Sequence, residues 1–388
     1  MRILMLQRFD LSSVSCARRV LCQARELLRR GHEVILADHV HSERQRELPA
    51  VADLSPWGAR ILPLERRIGR AYVNWRLLHT LQPRPEIIHL WKSYPDASLP
   101  AIFFSRRWRI PLHYDWDDWE PGIAAELTGS RWAGFVARQW DRLLPHLSDT
   151  MTTASDFLRA KALEWGFPSE RIWDAPVGAD LEAFTPRHKD VDLMNQLSLR
   201  DPVLIYVGQL EVAGYAEQAV DVLARVRREF QTAKLLILGG GRKLAWLRNY
   251  TEERKLTRHV VFTDYISGDD VPRYLSLADV ALAPFEENDV TRAKSPLKIA
   301  EYLAMGLPIV ASDVGEAKTM TLGAGVCVPC GNMEDMSQKV IWLLHNPGIR
   351  RSMAFAGRKS AESRYNWKSH VDALESAYQF ALKLYSNQ

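Results

Sequence analysis

The residues best suited to chemistry lie between 291 and 313, in the run TRAKSPLKIAEYLAMGLPIVASD. Ser295 and Pro296 read as a helix opening: serine is a favoured N-cap, and proline costs nothing in a first turn whose N–H groups lack partners. Ile299, Leu303 and the alanines continue an apolar stripe at helical spacing. Gly306 stops the helix, and Pro308 begins a short buried strand. Lys298 and Glu301 stand three apart on one face. Taken alone they read as a surface ion pair worth about 0.2–0.5 kcal/mol. A second run, IPLHYDWDDWEPG (110–122), places Asp117 and Asp118 just past a strand. Such an acid-rich turn either caps the helix that begins near Glu120 or offers a carboxylate to a reacting hydroxyl. Cys327-Val-Pro-Cys330 has CxxC spacing, but no second pair or histidine cluster accompanies it, so it reads as two small residues in a turn.

The elements that position these residues must come from 388 residues, which suits two domains of roughly 180 residues each. Apolar content of 47% and charged content of 25% are those of an ordinary globular protein. Net charge is +4, from 51 basic and 47 acidic side chains, which supplies no whole-chain argument for nucleic acid. Charged residues interrupt MRILMLQRFD at once, so it reads as a strand and not a signal peptide. No apolar run approaches the roughly 20 residues that span a bilayer. A cytoplasmic enzyme is expected.

Short apolar runs alternate with amphipathic helical segments throughout. Strands are expected at 2–7, 33–38, 59–64, 86–91, 110–115 and 149–154, with helices at 15–30, 69–81, 96–108 and 131–146. The pattern restarts with strands at 203–208, 233–239, 259–264, 279–284 and 307–312. Two doubly wound α/β domains in tandem account for it, at 1–185 and 190–364, joined by PVGADLEAFTPRHKD. A last helix from about 367 is expected to pack back on the first domain. Ligands of such sheets sit at the carboxyl ends of the strands, so the expected site is a cleft between two facing sheets.

In this order and spacing the motifs resemble the retaining glycosyltransferases of family 4, which have the GT-B fold of two Rossmann-like domains facing across a cleft. RRGHEV (29–34), EIIHLW (86–91), PVGADLEAFTP, LIYVGQL with LLILGGG, and SPLKIAEYLAMGLPIVASD each match a family signature. The resemblance covers nearly the whole chain. It implies transfer of a sugar from a nucleoside diphosphate sugar, of UDP or GDP type, to a glycan, a lipid-linked glycan or a small acceptor. It implies no metal, since helix dipole and cations would stabilise the leaving group.

The resemblance also assigns roles. The helix start at Ser295 would point N–H groups at the donor diphosphate. Lys294 and Lys298 would add cations there, and Glu301 would accept from the ribose hydroxyls. Gly208, Gln209 and Gly240 would lie against base or phosphate, Tyr265 near the base, and Ser15 and Arg18 on the first domain's side. Asp117, favoured over Asp118, falls where relatives place a residue that contacts the transferred sugar. As a carboxylate it would orient an acceptor hydroxyl or stabilise positive charge.

Three features depart from the family pattern. Gln209 and Gly214, with Ala213 beside it, replace a phosphate-gripping Arg and Lys; Ala293 replaces a first Glu; and Val14-Ser15 replace Gly-Gly. Arg292, Lys294, Arg242 and Lys243 are the local candidates to replace the lost cations. The departures keep two alternatives open: a non-catalytic sugar- or nucleotide-binding relative, and a sugar-nucleotide 2-epimerase of the same fold. Trp57, Trp75, Arg66 and Arg70 suit peripheral contact with an anionic membrane, or a solvated surface.

Overall fold

The computed structural model describes residues 1–11, 14–39, 58–64, 71–211 and 215–386. The chain divides into two compact units, one of Met1–Pro176 with Trp367–Gln388, the other of Val177–Asn366.

The first unit holds seven strands: β1 (Arg2–Leu6), β2 (Glu33–His39), β3 (Arg60–Leu64), β4 (Ile87–Trp91), β5 (Leu112–Trp116), β6 (Thr150–Thr153) and β7 (Ile172–Asp174). They form one parallel sheet in the order β3-β2-β1-β4-β5-β6-β7. Crossovers carry α1 (Val14–Arg29), α2 (Ala71–His79), α3 (Pro95–Trp108), α4 (Glu120–Thr128), α5 (Arg131–Leu147) and α6 (Asp156–Glu164).

The second unit repeats the plan. Its strands are β8 (Val203–Val207), β9 (Lys234–Leu238), β10 (Val260–Phe262), β11 (Val280–Ala283), β12 (Ile309–Ser312) and β13 (Gly325–Val328). The order is β10-β9-β8-β11-β12-β13, again parallel. Its helices are α7 (Val191–Gln196), α8 (Ala216–Val226), α9 (Leu244–Glu253), α10 (Val271–Leu275), α11 (Asp289–Ala293), α12 (Leu297–Ala304), α13 (Gly315–Thr321), α14 (Met333–His345) and α15 (Pro347–Ser363). The final helix, α16 (Trp367–Ser386), belongs to the first unit. Its Val371, Leu374, Tyr378 and Ala381 join the core formed by Ala17, Val20, Ala24 and Leu27 of α1.

Each sheet reverses its winding once, between β1 and β4 and between β8 and β11. Loops leaving neighbouring strands diverge there and open a crevice at the carboxyl edge, where ligands of such sheets bind. Those two edges carry nearly every functional candidate.

Two expectations are corrected. Residues 177–185 pack with the second unit, not the first. The Val177 N–H donates to Ser295 Oγ at 3.1 Å, and Arg358 reaches the Phe184 carbonyl at 2.7 Å. Ser295 is also not the N-cap of α12. Pro296 occupies that position without a side-chain cap bond, and the Ser295 hydroxyl accepts from the Val177 N–H instead of from the helix. At the other end Gly306 stops the helix with φ 65°. Its N–H donates to Leu303 O and that of Leu307 to Tyr302 O, the paired bonds that satisfy terminal carbonyls.

Candidate active site

In the second unit Lys298 leaves α12 toward the β8/β11 edge. Its ammonium lies 4.0 Å from the ring centre of Tyr206 on β8 and 5.5 Å from that of Phe285 beyond β11. Aromatic faces hold a cation without neutralising it. Burial and the neighbouring Lys294 charge push this ammonium down to about 7, against an upward pull from Glu301. Two lysines repelling one another at a helix start suit a polyanion that would bind both. Glu301 itself is buried, one turn along the same helix.

Gly208 keeps the space around the ammonium clear: a Cβ there would stand 3.0 Å from Lys298 Nζ. Gly239 and Gly241 serve a different purpose. A Cβ on Gly239 would meet the Gly208 carbonyl at 2.0 Å, and one on Gly241 the Leu210 carbonyl at 2.4 Å. The loops after β8 and β9 zip together through Gly208 N–H to Leu238 O and Leu210 N–H to Gly240 O, both at 3.0 Å. Close approach of backbone to backbone therefore explains these glycines without a ligand. Gly240 is not so confined, its nearest neighbour being Tyr265 N at 3.5 Å. Tyr265 is 65% exposed, which excludes the core as its role.

The remaining candidates separate clearly. Ser295 is buried and spends its oxygen on Val177. Arg292 is turned to Glu287 at 2.7 Å and Asp289 at 3.2 Å, and Arg242 to Glu211 at 2.7 Å. Both arginines are exposed. Gln209 is exposed after β8, and Lys294 is half-buried just before α12. Arg18 is half-buried on α1. The Ser15 side chain, Ala213, Gly214, Trp57, Arg66 and Arg70 lie outside the described residues. Trp75 packs edge-on against Phe103 at 4.3 Å. Cys327 lies in β13, and burial pushes its thiol up to about 11, which disfavours the reactive thiolate.

In the first unit Asp117 follows β5 at the switch edge. Its carboxylate lies 3.6 Å from Lys92 Nζ and 4.0 Å from Arg19 Nε. Burial pushes Asp117 up to about 7; Lys92 and Arg19 pull it down, while Asp118 and Asp115 push it further up. Such a group changes charge near neutral pH, as a hydroxyl-orienting carboxylate should. Lys92 and Arg19 escaped sequence reasoning. Lys92 sits in a three-residue gap between strand and helix, and Arg19 looked like one more basic residue of α1; only burial distinguishes them. Among the described residues no cluster of three or more His, Cys, Asp or Glu side chains is arranged to hold a metal ion.

The comparisons with known proteins agree with this architecture. A family model described as "Glycosyl transferase 4-like domain" matches residues 16–178. A second, "Glycosyl transferases group 1", matches residues 201–346. The chain belongs to the family 4 type of GT-B glycosyltransferases. Within it, the alpha-D-kanosaminyltransferase of Streptomyces kanamyceticus is 27% identical over 87% of this chain and 88% of its own length. The GDP-mannose-dependent alpha-(1-6)-phosphatidylinositol monomannoside mannosyltransferase of Mycolicibacterium smegmatis is also 27% identical, over 60% of this chain. That match spans 63% of the relative, less than two thirds of its length. Among solved structures, a sucrose-phosphate synthase from Thermosynechococcus elongatus superposes with TM-score 0.77 at 17% identity, covering all of both chains. Anabaena HepE in complex with UDP gives 0.75 at 15% identity, over 98% of this chain and 100% of that one. At these identities the structures speak for the fold alone.

Proposed function

We propose that this protein is a retaining glycosyltransferase that moves a sugar from a nucleoside diphosphate sugar to a hydroxyl of a glycan, a lipid-linked glycan or a small acceptor. The observation that carries the reading is the Lys298 ammonium, held between Tyr206 and Phe285 at the β8/β11 switch point with Lys294 as its repelling neighbour. A diphosphate matches the two lysine charges beyond what Glu301 supplies. Glu301, one turn on, takes the ribose diol. As the bond to the sugar breaks, charge grows on the leaving phosphate, and Lys298 with the α12 N–H groups stabilises it more in the transition state than in the ground state. Asp117 in the first unit receives the acceptor hydroxyl. A relative that is GDP-mannose-dependent supports a nucleoside diphosphate sugar donor. No metal takes part in this scheme.

The test is a thermal-shift screen of UDP, GDP and ADP followed by donor turnover with and without EDTA. Binding of one nucleotide raises the melting temperature through linkage, and turnover is expected to survive EDTA. Strict recovery by manganese or magnesium would overturn the metal-free scheme. Nucleotide binding without turnover on any acceptor would favour the binding-protein reading.

Peripheral contact with an anionic membrane belongs to the same proposal, on a surface the sequence did not single out. Among the described residues no helix is long and apolar enough to cross a membrane. However, α5 turns an apolar face to solvent: Trp132 is 70% and Phe135 51% exposed, their rings stacked at 5.3 Å, with Val136 and Leu143 beside them. Arg131, Arg138 and Arg142 are exposed on the same helix. An apolar face flanked by arginines matches an anionic lipid surface.

A further inference from the structure

The residue after β4 is unusual in three respects at once. Lys92 has φ 65°, a backbone conformation uncommon outside glycine and found where the surroundings impose it. It is buried, with 7% of its surface exposed, which is rare for a lysine unless it is paired. And its ammonium meets three carboxylates at once, Asp117 at 3.6 Å, Glu120 at 3.2 Å and Asp118 in direct contact. The backbone is pinned as well, since the Lys92 N–H donates to the Asp115 carbonyl at 3.2 Å.

The other nearby cation is already committed. Arg19 spends two bonds on Asp115 and a third, at 2.9 Å, on the Ala175 carbonyl, and stands off from Asp117 at 4.0 Å. The aromatic rings of Trp91 and Phe9 close the apolar side of the ammonium at 5.1 and 5.6 Å. Three carboxylates thus share one lysine in a site removed from water. Of the three, Asp117 has the longest contact with Lys92.

We propose that Lys92 is a positioning residue for Asp117: its ammonium gathers Asp117, Asp118 and Glu120 into one cluster and keeps Asp117 charged and aimed at an acceptor hydroxyl. The inference rests on the reading of Asp117 as the acceptor-facing carboxylate. The groups facing Asp117 are Lys92 after β4, Asp115 on β5, Asp118 beside it and Arg19 on α1. Lys92 in turn faces Glu120 at the start of α4, Tyr94, and Asp141 on α5. Lys92 is the stronger of the two influences that pull Asp117 down. Removing its charge must therefore move Asp117's protonation to higher pH.

The experiment titrates Asp117 directly in the full chain, by infrared difference spectroscopy of the carboxyl band with Asp117→Asn subtracted. Lys92→Met is expected to raise the midpoint by a pH unit or more, a tenfold gain in proton affinity. Lys92→Arg is expected to restore it. The acid limb of the pH–turnover profile should move the same way, so that Lys92→Met loses more activity at pH 6 than at pH 8.5. An unmoved Asp117 midpoint in Lys92→Met overturns the proposal. A moved midpoint with an unmoved turnover profile keeps the Lys92–Asp117 coupling and overturns the acceptor assignment of Asp117. Should Lys92→Met not fold, Lys92→Gln carries the same expectation, and failure of both to fold overturns the proposal by assigning Lys92 to the framework.

Discussion

Arg19 and Asp115 form a two-bond ion pair, Nε to Oδ2 at 2.8 Å and Nη2 to Oδ1 at 2.7 Å, with side chains 4% and 0% exposed. Thr152 and Gln23 also donate to Asp115, each at 2.8 Å, and Gln23 meets His370 of α16 at 2.9 Å. His370 in turn donates to the Pro176 carbonyl at 2.8 Å. One buried network thus ties α1, β5, β6 and α16 together.

Breaking this pair should be costly, because removing one partner leaves a buried charge alone, at about 3–5 kcal/mol. Arg19→Met is expected to lose at least about 3 kcal/mol at pH 7 in urea unfolding. Burial works to raise Asp115, yet Arg19 holds its carboxyl well below the usual range. The pair's contribution is therefore full above the unfolded carboxyl's ordinary value and is lost as pH falls toward the folded one. In Arg19→Met the carboxyl can escape its penalty by protonating, so the gap to wild type should narrow from pH 7 to pH 4. A gap that widens toward pH 4 would contradict this account.

The glycines after β8 and β9 should differ sharply. Gly239→Ala combines a 2.0 Å clash against backbone with φ 136° and should cost about 2 kcal/mol or more. Gly240→Ala meets ordinary contact distances and should stay within about 0.5 kcal/mol. Gly208→Ala meets side chains and no backbone, Lys298 Nζ at 3.0 Å and the buried Tyr206 hydroxyl at 3.2 Å, so it should cost less stability than Gly239→Ala yet weaken nucleotide binding. Thermal melts and calorimetry on the three variants separate these outcomes.

Glu301→Gln tests the ribose contact. It leaves the apolar face of α12 untouched, so the melting temperature should hold. Loss of a charged hydrogen-bond acceptor for a diol should weaken nucleotide binding by about 1.5–3 kcal/mol. Calorimetry with UDP, GDP and ADP reads the change, and unaltered affinity for the best nucleotide removes Glu301 from the site.

Lys298 makes binding pH-dependent. In the free protein its ammonium loses its proton near 7. A bound diphosphate would raise that value, so the complex would hold more protons than the free protein above pH 7. Affinity should fall as pH rises from 7 to 9, and calorimetry in buffers of different ionisation heat should show proton uptake at pH 8. Lys298→Met should flatten both effects and depress turnover more than Lys294→Ala. Equal behaviour of Lys298→Met and wild type would take the phosphate grip away from the α12 start.

The α5 face makes a separate prediction. The full chain should float with vesicles containing phosphatidylglycerol and not with pure phosphatidylcholine, and salt should weaken the association. Trp132→Ser with Phe135→Ser should abolish it while leaving turnover on a soluble acceptor intact. Equal flotation with both vesicle types would remove the electrostatic part of the proposal.

By itself the sequence determined the elements and their kind. Parallel strands buried on both faces read as short apolar runs, and crossover helices restore the 3.6-residue period between them, so the tandem doubly wound plan was legible from 2–7 to 307–312. The donor-helix motif was legible too, because Lys298, Glu301 and Gly306 are local along one helix. Short elements such as β7, β13, α6 and α7 were not, because they lack a run long enough to show a period, and α14 and α15 were not read either. What only the tertiary structure decided is which charges are desolvated. Ser295 looked like a cap, but the helix begins one residue later and the Val177 N–H claims its hydroxyl. Arg292 and Arg242 are phosphate candidates by sequence, and only the structure shows that each also faces a nearby carboxylate. Lys92, Arg19 and Asp115 come from a loop, a helix and a strand 23 to 96 positions apart in the chain, and meet only because the strand order puts β4 beside β5 with α1 packed against them. Spacing along a chain can show residues on one helix face; burial and pairing between distant segments exist only once the sheet has formed.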